Sequence, residues 1–206
     1  MQIEKSFYPI TSLGPNNRLG IWTKGCVRKC KGCSNPETQA PSEAFEISIE
    51  DLLKSYDFSV IDGVTISGGE PFMQLNELLR LLTILREKSV NDILVYTGYT
   101  YEELKNMNNP IIDEIFSKIS VLIDGPYIDE LNDEHILKGS SNQRILYFDE
   151  SLKNQYEEYI QKEKQINIIK LSNGETHFIG IPPKDFRELY PEYLKAKYIT
   201  ERKNDE

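Results

Sequence analysis

The sequence predicts an α/β fold: a parallel sheet with helices, followed by a small C-terminal hairpin-plus-helix extension. Between about residues 18 and 163, short apolar runs rich in β-branched residues alternate with stretches of helical periodicity. Such alternation is typical of parallel strands joined by right-handed crossovers. The 206-residue chain is 39% hydrophobic, which is enough for one well-packed domain with a small appendage.

Five strands are predicted in the main part of the chain. Each is a short apolar run, often with β-branched residues, and the run that stops at Gly68-Gly69 is the clearest. In chain order the predicted strands cover residues 18–23, 60–67, 93–97, 121–124 and 144–148.

Helices are predicted between these strands. Ser48 is expected to cap a helix over 49–56, because two acidic residues follow in its first turn. Apolar residues at 75, 78, 79, 82 and 85 have helical spacing and indicate a helix over 75–88. Thr100 is expected to cap a helix that ends before Pro110. Two more helices are predicted over 111–119 and, strongly charged, over 151–163.

The end of the chain has a different pattern. Residues 165–171 and 176–181 flank a turn that contains Asn173-Gly174, and Asn-Gly is a strong hairpin signal. A short helix is expected near 186–198. We therefore expect a core over residues 1–149 and an accessory extension over 150–206.

The composition excludes several classes of protein. The net charge is −9, and an acidic surface repels a polyanion, so a nucleic-acid partner is not expected. No window has about 18 consecutive apolar residues, as a membrane span requires. The N-terminal residues lack the apolar stretch of a secretory signal. We expect a soluble, cytoplasmic protein that does not bind membranes.

The three cysteines form the most specific motif, Cys26-x3-Cys30-x2-Cys33. This odd, crowded set is a poor disulfide framework, which leaves metal binding. Three thiolates can ligate three irons of a cubic cluster and leave the fourth iron open to a substrate. Structural zinc is the alternative, although it prefers four closed ligands and both histidines are distant in sequence. Four basic residues beside the cysteines are expected to favour thiolates: Lys24, Arg28, Lys29 and Lys31.

Glycine-containing or polar motifs follow the other predicted strands. They are Gly68-Gly69-Glu70, Thr97-Gly98, Asp124-Gly125 and Ser141-Asn142. Because the carboxyl ends of parallel strands meet at one edge of a sheet, we expect these motifs to converge with the cysteine loop.

Together the motifs resemble the radical S-adenosylmethionine superfamily. Within it, the chain is most similar to the activating enzymes of anaerobic ribonucleotide reductase, and pyruvate formate-lyase activases are more distant. The resemblance covers about residues 18–144. It is carried by the cysteine segment 22–38, Ile66-Ser-Gly-Gly-Glu-Pro71, Tyr96-Thr-Gly-Tyr-Thr100, Leu122-Ile-Asp-Gly-Pro126 and Gly139-Ser-Ser-Asn-Gln-Arg144.

The resemblance implies a partial (β/α) radical-SAM barrel with S-adenosylmethionine bound across its carboxyl end. A [4Fe–4S] cluster would be held by Cys26, Cys30 and Cys33. Gly68 and Gly69 would let the backbone approach the methionine group, while Glu70 accepts a hydrogen bond from its ammonium. Three further residues are expected to position the ribose, the sulfonium or a bound cation: Thr97, Asp124 and Asn142.

The implied activity is that of a radical oxidoreductase. It would cleave S-adenosylmethionine reductively to a 5′-deoxyadenosyl radical and install a glycyl radical on a partner enzyme under anaerobic conditions. The electron donor would be a reduced flavodoxin or ferredoxin. The hairpin and the tyrosines at 190, 193 and 198 are expected to dock the partner, away from the cluster. Two alternatives stay open: a radical enzyme that modifies a small molecule or a peptide, and a zinc-stabilised binding module.

Overall fold

A computed structural model describes residues 1–183 and shows a mixed α/β fold built on a six-stranded sheet. The strands lie in chain order from one edge to the other. They are β1 (Ile3–Ile10), β2 (Arg18–Thr23), β3 (Gly63–Gly68), β4 (Ile93–Tyr96), β5 (Val121–Asp124) and β6 (Arg144–Tyr147). A two-stranded hairpin follows, made of β7 (Asn167–Lys170) and β8 (Thr176–Ile179).

The helices are α1 (Ile49–Leu53), α2 (Leu75–Glu87), α3 (Tyr101–Asn106), α4 (Pro110–Lys118) and α5 (Lys153–Ile160). Both predicted caps are confirmed. Ser48 Oγ accepts a hydrogen bond from Asp51 N–H at 3.0 Å. Thr100 Oγ1 accepts from Glu103 N–H at 3.1 Å, and the Glu103 carboxylate accepts from Thr100 N–H at 2.7 Å. The helix starts therefore lie where side-chain acceptors satisfy free N–H groups.

The pairing is parallel from β2 to β5, as predicted, but β6 runs antiparallel to β5. The expectation of parallel pairing is therefore wrong for this last strand. The connection from β5 to β6 contains one 3-10 turn, Asp129–Leu131, and no α-helix, so the chain returns without the crossover that parallel pairing requires. As a result, the segment before β6 lies at the carboxyl edge of the sheet, with Arg144 paired to Asp124.

The sequence motifs do not predict β1. This strand pairs antiparallel with β2 and forms one edge of the sheet, with two irregularities in its register. Only its terminal residues, Ile3 and Ile10, are buried, so its sequence lacks a strong apolar pattern. Pro9 lies inside the strand, which an edge position tolerates because not every N–H there needs a partner.

The sheet is buried on both faces. Helices α1 to α4 cover one face, where Leu78, Leu82 and Ile115 belong to one cluster with Ile66 and Val95. On the other face, Tyr156 and Tyr159 of α5 pack with Leu94, Val121 and Ile123. The hairpin covers the remaining part of that face, where Ile179 packs with Ile10, Leu13 and Trp22.

A buried ion pair fixes the amino end of the sheet. The Arg18 side chain is fully buried and pairs with both carboxylate oxygens of Asp92, one of them at 3.1 Å. Arg18 Nε also donates to Thr65 Oγ1 at 2.7 Å, and the Tyr156 hydroxyl donates to Asp92 Oδ1 at 2.7 Å. This network ties α5 to β2, β3 and the start of β4.

The predicted hairpin is confirmed, and its strands flank the Asn173-Gly174 turn. The predicted helix near 186–198 lies outside the described residues. No helix in the described part of the chain is both long and apolar enough to cross a membrane.

Candidate functional site

One cavity opens where β2, β3 and β4 end. Most of the predicted site residues lie on its wall: Cys26, Cys30, Cys33, Gly68, Gly69, Glu70 and Thr97. Asp124 and Asn142 do not, although their neighbours Gly125 and Gln143 do. The fold therefore brings together the motifs that follow three parallel strands, as the strand directions require.

The cysteine loop is held by backbone hydrogen bonds to the segment that follows it. Gly25 N–H donates to Thr38 O at 2.7 Å, and Cys26 N–H donates to Gln39 O at 2.9 Å. Gly25 has a φ of +95°, and Gly32 has a φ of +72°. Glycine adopts such angles with little strain, so Gly25 lets the chain turn just before Cys26, and Gly32 lets it turn between Cys30 and Cys33.

The three thiols are partly buried. Burial raises the pKa of the Cys26 and Cys33 thiols, and backbone hydrogen bonds oppose this effect in part. Both thiols are therefore protonated at neutral pH when no metal is bound, and metal binding must release these protons.

The basic residues near the cysteines are largely paired with carboxylates. Arg28 pairs with Glu103 at 2.7 Å and its guanidinium lies 4.1 Å from the centre of the Tyr99 ring. Lys24 pairs with Glu4, and Lys31 pairs with Glu130 at 3.4 Å. These ion pairs compete with the predicted effect on the thiols, since the positive charges of Lys24, Arg28 and Lys31 already have a carboxylate partner.

The glycines after β3 are required by a close backbone contact with the cysteine loop. Gly69 N–H donates to Thr23 O, and Glu70 N–H donates to Gly25 O, both at 2.8 Å. A Cβ at Gly69 would lie 2.2 Å from Gly25 O, and one at Gly68 would lie 2.3 Å from Thr23 N. The two glycines thus allow a close approach between two segments of this chain, and their expected approach to the methionine group stays a prediction.

Glu70 joins the ends of β3 and β4. Its carboxylate accepts hydrogen bonds from Thr97 Oγ1 at 2.8 Å, Gly98 N–H at 2.8 Å and Phe72 N–H at 3.1 Å. The residue is only 1% exposed. Burial raises the pKa of this carboxyl to about 7, although all three donors favour the charged form. A carboxylate has about four lone-pair positions, so one acceptor position remains for a ligand.

Asp124 and Asn142 are next in sequence to the lining residues Gly125 and Gln143 but do not line the cavity themselves. The Asp124 carboxylate accepts from Tyr101 N–H at 2.7 Å and from Arg144 Nε at 3.0 Å. It is 1% exposed, so these bonds account for its burial. Asn142 Nδ2 donates to Pro126 O at 2.8 Å, while its Oδ1 is buried and has no hydrogen-bond partner within the described residues.

The sequence motifs missed one side of the cavity. Residues 178–182, at the end of β8 and just beyond it, line the same cavity as the cysteines. The hairpin itself was predictable, but its position was not, because nothing in its local pattern indicates which part of the sheet it covers. The end of β8 therefore borders the predicted cluster site, whereas the Asn173-Gly174 turn, around which the docking surface is expected, does not line the cavity.

Comparison with known proteins agrees with this geometry. Residues 12–146 match the family described as a 4Fe–4S single cluster domain. The anaerobic ribonucleoside-triphosphate reductase-activating protein of Escherichia coli K12 is 33% identical over 149 residues, which cover 68% of this chain and 94% of that protein. The protein of the same name from phage T4 is 30% identical over 138 residues, covering 64% and 85%. The chain belongs to the radical S-adenosylmethionine activating enzymes.

A second kind of activating enzyme is also similar. The pyruvate formate-lyase-activating enzyme of Staphylococcus aureus USA300 is 32% identical over 143 residues, covering 66% of this chain and 56% of that protein. The cofactors of this radical S-adenosylmethionine family are an iron–sulfur cluster and S-adenosylmethionine.

The residues that line the cavity fit these cofactors. A zinc ion needs ligands gathered within about 2.3 Å of one point. Within residues 1–183, no three histidine, cysteine, aspartate or glutamate side chains form a group that could hold a single metal ion. A cluster offers a separate iron to each thiolate, so three thiols spread along one cavity wall suit it.

Proposed function

We propose that this chain is a glycyl-radical activating enzyme. It cleaves S-adenosylmethionine reductively to a 5′-deoxyadenosyl radical, which installs a glycyl radical on a partner enzyme of the anaerobic ribonucleotide reductase type. One observation carries the proposal: the three cysteines and the Gly68–Glu70 turn line a single cavity and are joined by the Glu70 N–H to Gly25 O bond. The names of the similar activating proteins support the choice of partner.

The proposed architecture is a partial (β/α) radical-SAM barrel. It is supported by four neighbouring parallel strands, β2 to β5, and by helices that pack on one face of this sheet. In the proposal, residues 1–149 form the core with the cluster loop, and residues 150–206 form an accessory extension.

The proposed cluster ligands are Cys26, Cys30 and Cys33. The sequence has no fourth cysteine, so three thiolates would leave one iron for the methionine group of S-adenosylmethionine. When bound, the cluster supplies the single electron for reductive cleavage. The chain contributes the loop that holds the thiolates and the partly buried cavity that limits access of water.

The proposed cofactor contacts follow from the free hydrogen-bonding positions. Glu70 has one acceptor position left for the ammonium group of the methionine. Thr97 Oγ1 donates to Glu70 and accepts from Tyr99 N–H, so it can accept one more bond, from a ribose hydroxyl. Gly68 and Gly69 offer backbone without a side chain in the way.

Asp124 and Asn142 have different proposed roles. Asp124 positions Arg144 and the start of α3, because its carboxylate already accepts hydrogen bonds from Arg144 Nε and Tyr101 N–H. Asn142 has an unpartnered buried oxygen within the described residues, which suits a donor from the bound cofactor.

The proposed electron donor is a reduced flavodoxin or ferredoxin, and the proposed location is the cytoplasm. Docking of the protein partner is compatible with a net charge of −9, whereas a phosphate-rich substrate is not.

The test is an electron paramagnetic resonance experiment. The reduced, cluster-loaded protein is mixed with S-adenosylmethionine and the glycyl-radical enzyme encoded in the same genome. A doublet from a glycine Cα radical, formed together with one 5′-deoxyadenosine per radical, is expected. Rapid 5′-deoxyadenosine formation with a small metabolite or a short peptide, and no radical on the partner, would instead indicate a radical enzyme of another kind.

A further inference from the structure

We propose that residues 178–182, the hairpin wall, select the segment of the protein substrate that enters the cavity. The wall admits a slender, glycine-containing peptide and rejects one with a branched side chain at the same place. This inference depends on the proposed function, because it assumes that a polypeptide reaches this cavity.

The hairpin wall lies across the same space as the cluster loop. Its residues line the cavity together with the three cysteines, Gly69 and Glu70. Ile179 is 2% exposed and packs against Leu13 and Trp22, so it is part of the core as well as of the wall. A peptide bound in this cavity beside the cysteines can therefore contact the hairpin wall.

Buried hydrogen bonds fix the hairpin in this position. Asn167 Oδ1 accepts from Thr11 N–H at 2.9 Å and from Ser12 N–H at 3.0 Å. Ser12 Oγ donates to Ile179 O at 2.7 Å, and Ser12 is 1% exposed. Both hairpin strands are thus tied to the connection between β1 and β2, so the hairpin wall is a fixed boundary.

Gly180 sets the course of the chain after β8. Its φ is +144°, and a Cβ there would lie 2.8 Å from Ile166 Cδ1 and 2.9 Å from Gln165 O. The glycine lets the chain turn close to the start of the hairpin, which leaves Ile181 and Pro182 along the cavity.

The hairpin wall differs chemically from the rest of the cavity. None of its five side chains is charged or forms hydrogen bonds, since they are Phe, Ile, Gly, Ile and Pro. Other parts of the cavity carry thiols, Glu70 and Thr97. A peptide with glycine at the contact point fits between an apolar and a polar surface because it is narrow and neutral. A branched side chain there would overlap the fixed wall.

The hairpin wall also lies outside the part of the chain that matches the family, which ends at residue 146. The wall is therefore an addition to the matched core, which suits a role in substrate selection.

The experiment measures peptide selectivity without turnover. Two short fluorescent peptides are made from the glycine loop of the genome-encoded partner, one with its glycine and one with that glycine replaced by valine. Their binding to cluster-loaded, unreduced protein is measured by fluorescence anisotropy. The variants are Phe178→Ala and Ile181→Ala. Ile168→Ala is the matched control, because Ile168 pairs with Phe178 in the hairpin but is 59% exposed and does not line the cavity.

Wild-type protein and the Ile168→Ala control are expected to prefer the glycine peptide by about tenfold or more, since valine adds three carbons and even one methylene gives about tenfold discrimination in a tight site. The two wall variants should reduce this preference to roughly threefold or less. Equal preference in all four proteins, or no binding of either peptide to the wild type, would overturn the proposal. If Ile181→Ala does not fold, Ile181→Val provides the same comparison with a smaller change.

The proposed function is tested separately, by measuring the glycyl radical on the intact partner. If the radical forms but the variants keep the wild-type peptide selectivity, only the proposed role of the hairpin wall is refuted. Absence of the radical refutes the activating role, whichever peptide binds better.

Discussion

Replacing Gly69 by alanine should separate the cysteine loop from the turn after β3. The new Cβ would lie 2.2 Å from Gly25 O, 2.8 Å from Gly25 C and 3.0 Å from Thr38 O. All three atoms belong to the backbone, so no side-chain rotation can relieve the overlap. The two segments must move apart by about 0.8 Å to reach even the shortest tolerated contact.

Two energetic terms follow from this displacement. Overpacking of a well-packed site costs about 1–3 kcal/mol. Loss of the Glu70 N–H to Gly25 O bond costs about 1 kcal/mol more. The free energy of unfolding of the cluster-free protein should fall by about 2–4 kcal/mol. A shift of this size near the cysteines should also weaken S-adenosylmethionine binding by about tenfold or more.

Urea unfolding of the cluster-free protein and calorimetric titration of the cluster-loaded protein give the two readouts. Gly98→Ala is the control, since the nearest atoms to a Cβ there belong to the side chains of Arg28, at 2.9 Å, and Glu70, at 3.4 Å, and not to the backbone. Its unfolding free energy should change by less than about 1 kcal/mol. Gly69→Ala could instead have the same unfolding free energy and the same affinity for S-adenosylmethionine as Gly98→Ala and the wild type. That result would show that the close contact between the cysteine loop and the Gly68–Glu70 turn does not stabilise the site.

Three further predictions concern other parts of the site and core. Cys30→Ala should lose the full complement of about four irons per chain after anaerobic reconstitution, and a variant that keeps a complete, reducible cluster would remove Cys30 from the ligand set. Asp92→Ala leaves the buried Arg18 charge unpaired, so urea unfolding should show a loss of about 3–5 kcal/mol, against less than about 1 kcal/mol for the exposed Asp113→Ala; equal losses would contradict the role of the buried pair. Because burial raises the pKa of Glu70 to about 7, folding favours its protonated form. The unfolding free energy of the cluster-free protein should fall by about 3 kcal/mol between pH 4.5 and 7 relative to Glu70→Gln, and parallel pH profiles would refute this.

Local sequence signals predicted helices and strands well where a single local interaction, such as a helix cap, determines the structure. Ser48 and Thr100 mark helix starts because their oxygens satisfy free N–H groups. The sequence signals failed to predict elements whose structure depends on contacts with distant segments of the chain. β1 is an edge strand with two buried residues, so its pattern is weak, and the run from 60 includes Val60, which is 53% exposed in a turn before β3. The direction of β6 depends on the absence of a crossover helix before it, which strand propensity does not report.

In the candidate site too, some features could be predicted from the local sequence and others could not. The cysteine spacing and the Gly68–Glu70 turn were recognisable because their residue types restrict what the backbone can do. The three donors to Glu70 and the engagement of Asp124 by Arg144 depend on contacts between distant segments. The hairpin wall was not predicted for the same reason. The sequence around Phe178 and Ile181 indicates a hairpin but not that these residues line the cavity.

The most direct test of the activating role is isotope transfer from the partner. The glycyl-radical enzyme is labelled with deuterium at its glycine Cα positions and mixed with the reduced protein and unlabelled S-adenosylmethionine. We expect deuterium to appear in 5′-deoxyadenosine, measured by mass spectrometry, in proportion to the glycyl radical formed. 5′-Deoxyadenosine that carries no deuterium, although the partner is labelled and the cofactor is cleaved, would contradict it.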